Sequence, residues 1–273
     1  MRLGERVERA ILGGDPTTRV GRARLRSAIT ARRLLVHLGD PMVRYRIGSV
    51  ELELPISHEL PFYRNDHPSY DRQLGAIAAA LGGPVVDVGA NVGDTAAAIR
   101  AESDVPILCI EGDPTFFGLL ERNAGKIGGV ELEQAFVEGP SVGRIARGAG
   151  TARVAEGDEA LRSKPLERIL VEHPAFARPA LLKLDTDGMD VPILLENLSL
   201  LQRLRPVLFF EYDPHVGAEP HVFERLREVG YATADWYENT GEHVATVELP
   251  GHLHDLYVGH GSARYADVCV RPR

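Results

Sequence analysis

The sequence predicts a doubly wound α/β fold: a mostly parallel, seven-stranded sheet with an antiparallel C-terminal edge, carrying an N-terminal arm of helix and β structure. Three observations predict it. Short apolar runs alternate with helical patterns between Pro84 and Tyr212, as a parallel sheet covered on both faces requires. A glycine loop, Gly89–Gly93, joins the first of these runs to a helix. Near the end the pattern becomes a hairpin, Tyr231–Tyr237 and His243–Leu249 about a turn at Asn239-Thr240-Gly241, followed by a closing strand Tyr265–Val270. Right-handed crossovers then fix the winding.

The elements follow in order. Val20–Leu38 carries Leu25, Ala28, Ile29, Leu35 and Val36 at helical spacing, interleaved with Arg22, Arg24, Arg26, Arg32 and Arg33. Such a basic amphipathic helix could contact an anionic membrane or an acidic partner, but docking on the body by its apolar stripe is the preferred reading. Val43–Leu54 alternates as a half-buried strand or hairpin does. Pro55, Pro61 and Pro68 break helix and strand alike, so Pro55–Pro68 reads as a lid or gateway. Ser69 is expected to cap a helix over Tyr70–Leu81, stopped at Gly82-Gly83-Pro84. The alternation then runs: strand Pro84–Val88, helix Asp94–Ala101, strand Pro106–Ile110, helix Pro114–Ala124, strand Val130–Val137. A hairpin insertion over Glu138–Asp158, helix Leu161–Glu172, strand Ala180–Leu184, helix Val191–Leu204 and strand Val207–Tyr212 complete it. Two parts are expected, a basic arm and gateway over residues 1–82 and the sheet domain over 83–273.

With 273 residues, 44% hydrophobic and 26% charged, the chain is an ordinary globular one, neither disordered nor a disulfide scaffold. Cys109 and Cys269 lie in apolar runs and read as buried thiols in a reducing compartment. The absence of a long apolar run or signal-peptide core points to a cytoplasmic protein. Residues 1–46 hold eleven arginines against four acids, while the whole chain carries −8, so a basic arm precedes an acidic body. An acidic body repels a polyphosphate, so nucleic acid is not the expected partner. The oligomeric state is left open, a homodimer included.

VVDVGANVGDT (Val85–Thr95) is the most informative stretch. An apolar strand containing Asp87 leads through Gly89, Ala90, Asn91, Val92 and Gly93 into a helix opened by Asp94 and Thr95, at the sheet edge where α/β folds bind ligands. It departs from the dinucleotide fingerprint: Asn91 replaces the second glycine, and the Asp94 carboxylate opposes a diphosphate. Glu111, ending the next strand in ILCIEGDP beside Gly112, can accept both hydroxyls of an adenosine ribose. The pair describes an adenosine with a cationic, phosphate-free tail, and S-adenosylmethionine fits. The plainer alternative is a glycine turn beside a surface acid. LLKLDTDGMD (Leu181–Asp190) and FFEYDP (Phe209–Pro214) bring Asp185 and Glu211 to neighbouring strand ends, where they could bind substrate, act as base or hold a divalent metal. Asp190 reads as a helix N-cap and Asp213 as a turn residue.

DVGANVGDT, CIEGDP, LLKLDTDGMD and LFFEYDP, in this order, resemble the FkbM-type family of S-adenosylmethionine-dependent methyltransferases, as does the gateway ISHELPFYRNDHPSYDRQL (Ile56–Leu74). The resemblance runs from about Val50 to the C-terminus. It implies a Rossmann-like class I methyltransferase sheet and O-methylation of a hydroxyl on a sugar, glycan or other small natural product. It places Asp87, Gly89, Ala90, Asn91, Gly93, Asp94, Thr95, Glu111, Gly112, Phe136 and Asp185 around the cofactor. One departure is that many members have Asp-Val-Glu-Gly where this chain has Asp185-Thr186-Asp187-Gly188, which suggests a subgroup.

An aliphatic hydroxyl is a poor nucleophile and needs a base. Asp185, His58 and Glu211 are the catalytic candidates; His58 titrates near neutrality and lies in the gateway. No metal is expected, although Asp185 and Glu211 could hold Mg²⁺. His252, His254 and His260 read as surface residues, and Trp236 and Tyr237 as packing or as acceptor-pocket walls. Two other readings stand: an NAD(P)-dependent Rossmann oxidoreductase, and a non-catalytic nucleoside-binding partner protein.

Overall fold

The structure, a computed structural model, describes residues 2–15, 17–148, 150–216, 219–258 and 265–273. The arm is two helices, α1 (Leu3–Leu12) and α2 (Arg19–His37). Only α2 was legible, because the apolar face of α1 rests on few residues. Thr18 caps α2 by accepting the Gly21 N–H at 2.9 Å. Val7 of α1 joins Val43 and Ile56 in a small core against which Ile11, Ala31, Leu35 and Val36 pack. Arg32 then fastens α2 to the gateway: Nε donates to the Ile56 carbonyl at 2.9 Å and a terminal nitrogen to the Ser57 carbonyl at 3.0 Å, and the guanidinium lies 4.5 Å from the Phe62 ring centre. The basic helix is thus docked by its stripe.

β1 (Met42–Ile47) and β2 (Val50–Pro55) form an antiparallel hairpin that turns at Gly48, whose φ is +55°. The gateway is not free of helix: α3 (Leu60–Asp66) forms inside it, because Pro61 falls in the first turn, where its missing N–H costs nothing. α4 (Arg72–Leu81) starts two residues later than expected and without a Ser69 side-chain cap, since Asp71 takes a left-handed φ of 59°.

The chain then runs β3 (Val85–Val88), α5 (Asp94–Glu102), β4 (Ile107–Ile110), α6 (Pro114–Ile127), β5 (Val130–Glu133), β6 (Phe136–Val137), β7 (Val142–Arg147), β8 (Ala152–Ala160), β9 (Ser163–Lys164) and α7 (Leu166–Glu172). It continues with β10 (Leu181–Leu184), α8 (Asp190–Glu196), α9 (Leu198–Leu204), β11 (Val207–Tyr212), α10 (His221–Glu228), β12 (Tyr231–Glu238), β13 (His243–Glu248), α11 (His254–Val258) and β14 (Ala266–Pro272). The large sheet has the order β13-β12-β14-β11-β10-β3-β4-β5. β5, β4, β3, β10 and β11 are parallel, and β14, β12 and β13 antiparallel. This is the predicted doubly wound, mostly parallel sheet with an antiparallel C-terminal edge, and it has eight strands rather than seven, with β13 on the outer edge.

Several boundaries differ. The expected strand Val130–Val137 splits into β5 and β6, and β6 leaves the large sheet to pair with β9. The first residues of the expected helix Leu161–Glu172 are therefore β9, and Pro165 starts α7. The long helix Val191–Leu204 breaks at Asn197, whose side chain donates to the Ile193 carbonyl and to Glu138. α10 and α11 were not foreseen. The hairpin insertion stands as β7–β8.

Alternate strand residues fill two cores, one per sheet face. Leu108, Leu182 and Phe210 belong to one, and Cys109, Leu181 and Phe209 to the other. Both cysteines are buried and free. Trp236 is fully buried, stacked 5.7 Å from Tyr257, and Tyr237 packs on Phe209. Both are therefore packing residues. His252 is exposed, but His254 Nδ1 lies 2.7 Å from the Tyr212 hydroxyl and so supports the core from outside. His260 lies outside the described residues. No helix among the described residues is long and apolar enough to cross a membrane.

Candidate active site

The sheet order reverses between β3 and β10, and a switch point of this kind is where open α/β sheets bind ligands. A cavity of about 400 Å³ opens there, within the range of roughly 300–1,000 Å³ usual for small-molecule sites. The carboxyl ends of β3, β4, β10 and β11 form its floor; the gateway and the β7–β8 hairpin supply walls.

At one end, Glu111 follows β4. Its Oε2 accepts the Asn91 N–H at 2.8 Å and its Oε1 the Asp113 N–H at 2.7 Å, which fixes the carboxyl over the glycine loop. Burial pushes Glu111 up to about 7, against those two hydrogen bonds. Gly89, at φ +77°, is obligatory: a Cβ there would lie 1.8 Å from the Asp185 carbonyl oxygen. Gly112 lies flat against the Phe136 ring, where a Cβ would meet ring carbons at 2.3 Å. Asp71, Asn91 and Asp187, all lining the cavity, hold positive φ values of 59°, 49° and 52°. Local strain of this kind gathers at functional sites.

Of the expected cofactor residues, Gly89, Asn91, Asp94, Thr95, Glu111, Gly112, Phe136 and Asp185 line the cavity, as do the catalytic candidates His58 and Glu211. Asp87, Ala90 and Gly93 do not. Ala90 is in the core, Gly93 faces Leu120 and Ile127, and Asp87 is buried in an ion pair with Lys183, 2.9 Å away. Lys183 also donates to the Gly89 carbonyl at 3.3 Å and pairs with Asp185 at 3.4 Å. Burial alone would lower the Lys183 ammonium; Asp87, Asp185 and Asp71 instead hold it well above its ordinary value. Sequence reasoning passed over Lys183, although a lysine inside a fully buried apolar strand signals an acidic partner.

Asp190 is not an N-cap. Its buried carboxylate accepts the Thr186 N–H and hydroxyl at 3.1 and 2.7 Å and tightens the β10 turn. Asp213 is the expected turn residue, accepting the His215 N–H at 2.8 Å. His58 is 6% exposed, and its Nδ1 accepts the Leu60 N–H at 3.2 Å, which leaves the ring hydrogen on Nε2. Burial lowers its pKa, so it is a neutral donor at physiological pH, with no lone pair free for base work.

Acids dominate the lining. Glu59, Asp71, Asp94, Glu111, Asp185, Asp187, Glu211 and Asp267 face two cations, Lys183 and Arg153. Burial first, then Asp185 and Asp190, pushes Glu211 up to about 10; burial and Asp94 push Asp71 to about 7. Asp267 rises well above its ordinary value, again chiefly by burial. Such a lining suits a cationic ligand and opposes a diphosphate. A nucleoside bearing a sulfonium and an ammonium fits: Glu111 for the ribose, the carboxylates for the charged tail. Among the described residues, no three His, Cys, Asp or Glu side chains gather as a metal site.

No family model matches the chain, and no curated protein does. Among solved structures, it is similar to a precorrin-6y C5,15-methyltransferase from Geobacter metallireducens: 12% identity, TM-score 0.42, 74% of this chain and 87% of the other. A TehB-like SAM-dependent methyltransferase from Corynebacterium glutamicum gives 9% identity and a TM-score of 0.40 over 91% and 97%. Methyltransferase FkbM from Methylobacillus flagellatus gives 12% and 0.39 over 68% of this chain and 43% of that one. At these identities and scores the likenesses assign the chain to none of these groups.

Proposed function

We propose that this chain is an S-adenosylmethionine-dependent methyltransferase of FkbM type that O-methylates a hydroxyl of a sugar, glycan or other small natural product. One observation carries the reading: the Glu111 carboxyl, clamped by two backbone N–H groups over the Gly89 loop, at the end of an acid-lined cavity. A carboxyl so placed selects ribose hydroxyls, and the lining selects a positive tail. The half-buried Asp94 carboxyl in the first turn of α5 stands where a dinucleotide's pyrophosphate would bind, which disfavours the oxidoreductase reading. The same acids disfavour a nucleic-acid acceptor.

When bound, S-adenosylmethionine would supply a methyl on a sulfonium, whose sulfur would leave as a neutral thioether once the acceptor oxygen had taken the methyl carbon. The chain's residues align and deprotonate the acceptor. Asp185, at the tip of β10 beside Lys183, is the proton acceptor in this reading. Glu211, on the neighbouring strand β11, binds and orients the acceptor in this reading, and His58 lines the same cavity with its ring hydrogen on Nε2. Asp185→Asn is expected to lower turnover by at least about a hundredfold, the usual contribution of a general base, while the product S-adenosylhomocysteine still binds.

Calorimetry tests the function. S-adenosylhomocysteine is expected to give a clear isotherm and NAD none; the reverse would remove the proposal.

A further inference from the structure

Glu211 on β11 and Asp267 on β14 are direct partners in an antiparallel register. Like charges placed opposite each other across a strand pair destabilise a sheet. Both line the same cavity, Asp267 is 8% exposed, and among the described residues neither carboxyl has a hydrogen-bonding or ion-pair partner. The nearby buried cation, Lys183, is already engaged by Asp87 and Asp185. Hydroxyls and an aromatic wall surround the pair: Tyr63, Tyr265 and Asn239 also line this end, and the Asn239 amide donates to the Tyr63 hydroxyl. Glu111, by contrast, ends β4, and β10 and β3 lie between it and β11. A cofactor anchored at Glu111 therefore leaves the Glu211–Asp267 end for the acceptor.

A buried and a half-buried acid, side by side on adjacent strands, lining one cavity and without a partner among the described residues, need a cation, and we propose that the acceptor brings it. The substrate class is an amine-bearing polyol, such as an amino sugar or aminocyclitol, whose ammonium seats between Glu211 and Asp267 with Tyr63 and Tyr265 beside it. An ammonium held between two carboxyls keeps its proton and has no lone pair, so it anchors the molecule rather than accepting the methyl. The neighbouring hydroxyl is the nucleophile: its oxygen bonds to the methyl carbon, its proton goes to Asp185, and the sulfonium sulfur keeps the electron pair of the broken bond.

This inference rests on the proposed methyl transfer, and its test separates the two. The full chain is first titrated with S-adenosylhomocysteine, which reads the cofactor end alone. Glucosamine, 2-deoxystreptamine and spermidine are then titrated against their N-acetylated forms, with and without S-adenosylhomocysteine. At least one amine is expected to bind about tenfold or more tighter than its acetylated form, as a hydrogen bond to a charged group implies. Asp267→Asn and Glu211→Gln, which keep shape and remove repulsion, are expected to abolish that preference. An amine preference without cofactor binding would overturn the methyltransferase reading and leave the cation seat standing. No preference for any amine, or a preference that survives both substitutions, would overturn the cation seat.

Discussion

Two pairs of ionisable side chains on adjacent strands of the same sheet have opposite characters. Lys183 and Asp87, on adjacent strands β10 and β3, compensate each other at 2.9 Å. Glu211 and Asp267, on adjacent strands β11 and β14, are both acids and have no partner among the described residues. The first pair holds the switch point together, closing the Gly89 loop through the Gly89 carbonyl. The second weakens the sheet beside the cavity. The contrast teaches that a buried charge satisfied within the chain is architecture, whereas one facing a cavity unsatisfied is kept for a ligand.

The largest expected effect comes from breaking the compensated pair. Lys183→Met leaves Asp87 buried and alone, and should cost about 3–5 kcal/mol of stability in urea unfolding. Adding Asp87→Leu should recover most of the loss, since an apolar replacement of both partners is often neutral.

The uncompensated pair predicts the shape of the pH dependence. Glu211 has its proton held up to about 10 in the folded chain and Asp71 to about 7, both above the ordinary carboxyl value. The unfolded carboxyls release protons first. Stability contributed by the protonated folded groups is therefore full at low pH and falls as pH climbs from about 5 to about 10. Thermal melts should show this decline in the ligand-free protein, and Glu211→Gln should flatten its upper part, above about pH 7. A melting temperature that rises over this interval would contradict the assignment.

Much of this was legible in the sequence, for physical reasons. β11 and the glycine loop are punctuated by Pro206, Gly89 and Gly93, so their limits could be read directly. The acids at the strand tips follow from the rule that parallel strands end on one side. What escaped depended on partners distant in the chain. Lys183 and Asp267 were passed over, because what each does depends on a strand far away in the chain: Asp87 opposite Lys183, and β11 beside β14. Phe136 could be named, but not its face-on contact with Gly112, because that requires β6 to leave the sheet for β9. The break at Asn197 is invisible in an apolar pattern that continues straight through it.

The smallest effect sharpens the comparison by lying outside it. Arg32 makes backbone hydrogen bonds and a ring contact that only dock the arm. Arg32→Ala should cost about 1–2 kcal/mol in chemical unfolding and leave S-adenosylhomocysteine affinity unchanged.

The division of the cavity into two ends is tested most directly by titrating S-adenosylhomocysteine into Glu111→Ala and Asp267→Asn in parallel. Glu111→Ala is expected to weaken binding by about tenfold or more, and Asp267→Asn by less than about twofold. Equal losses in both variants, or a loss confined to Asp267→Asn, would contradict the account.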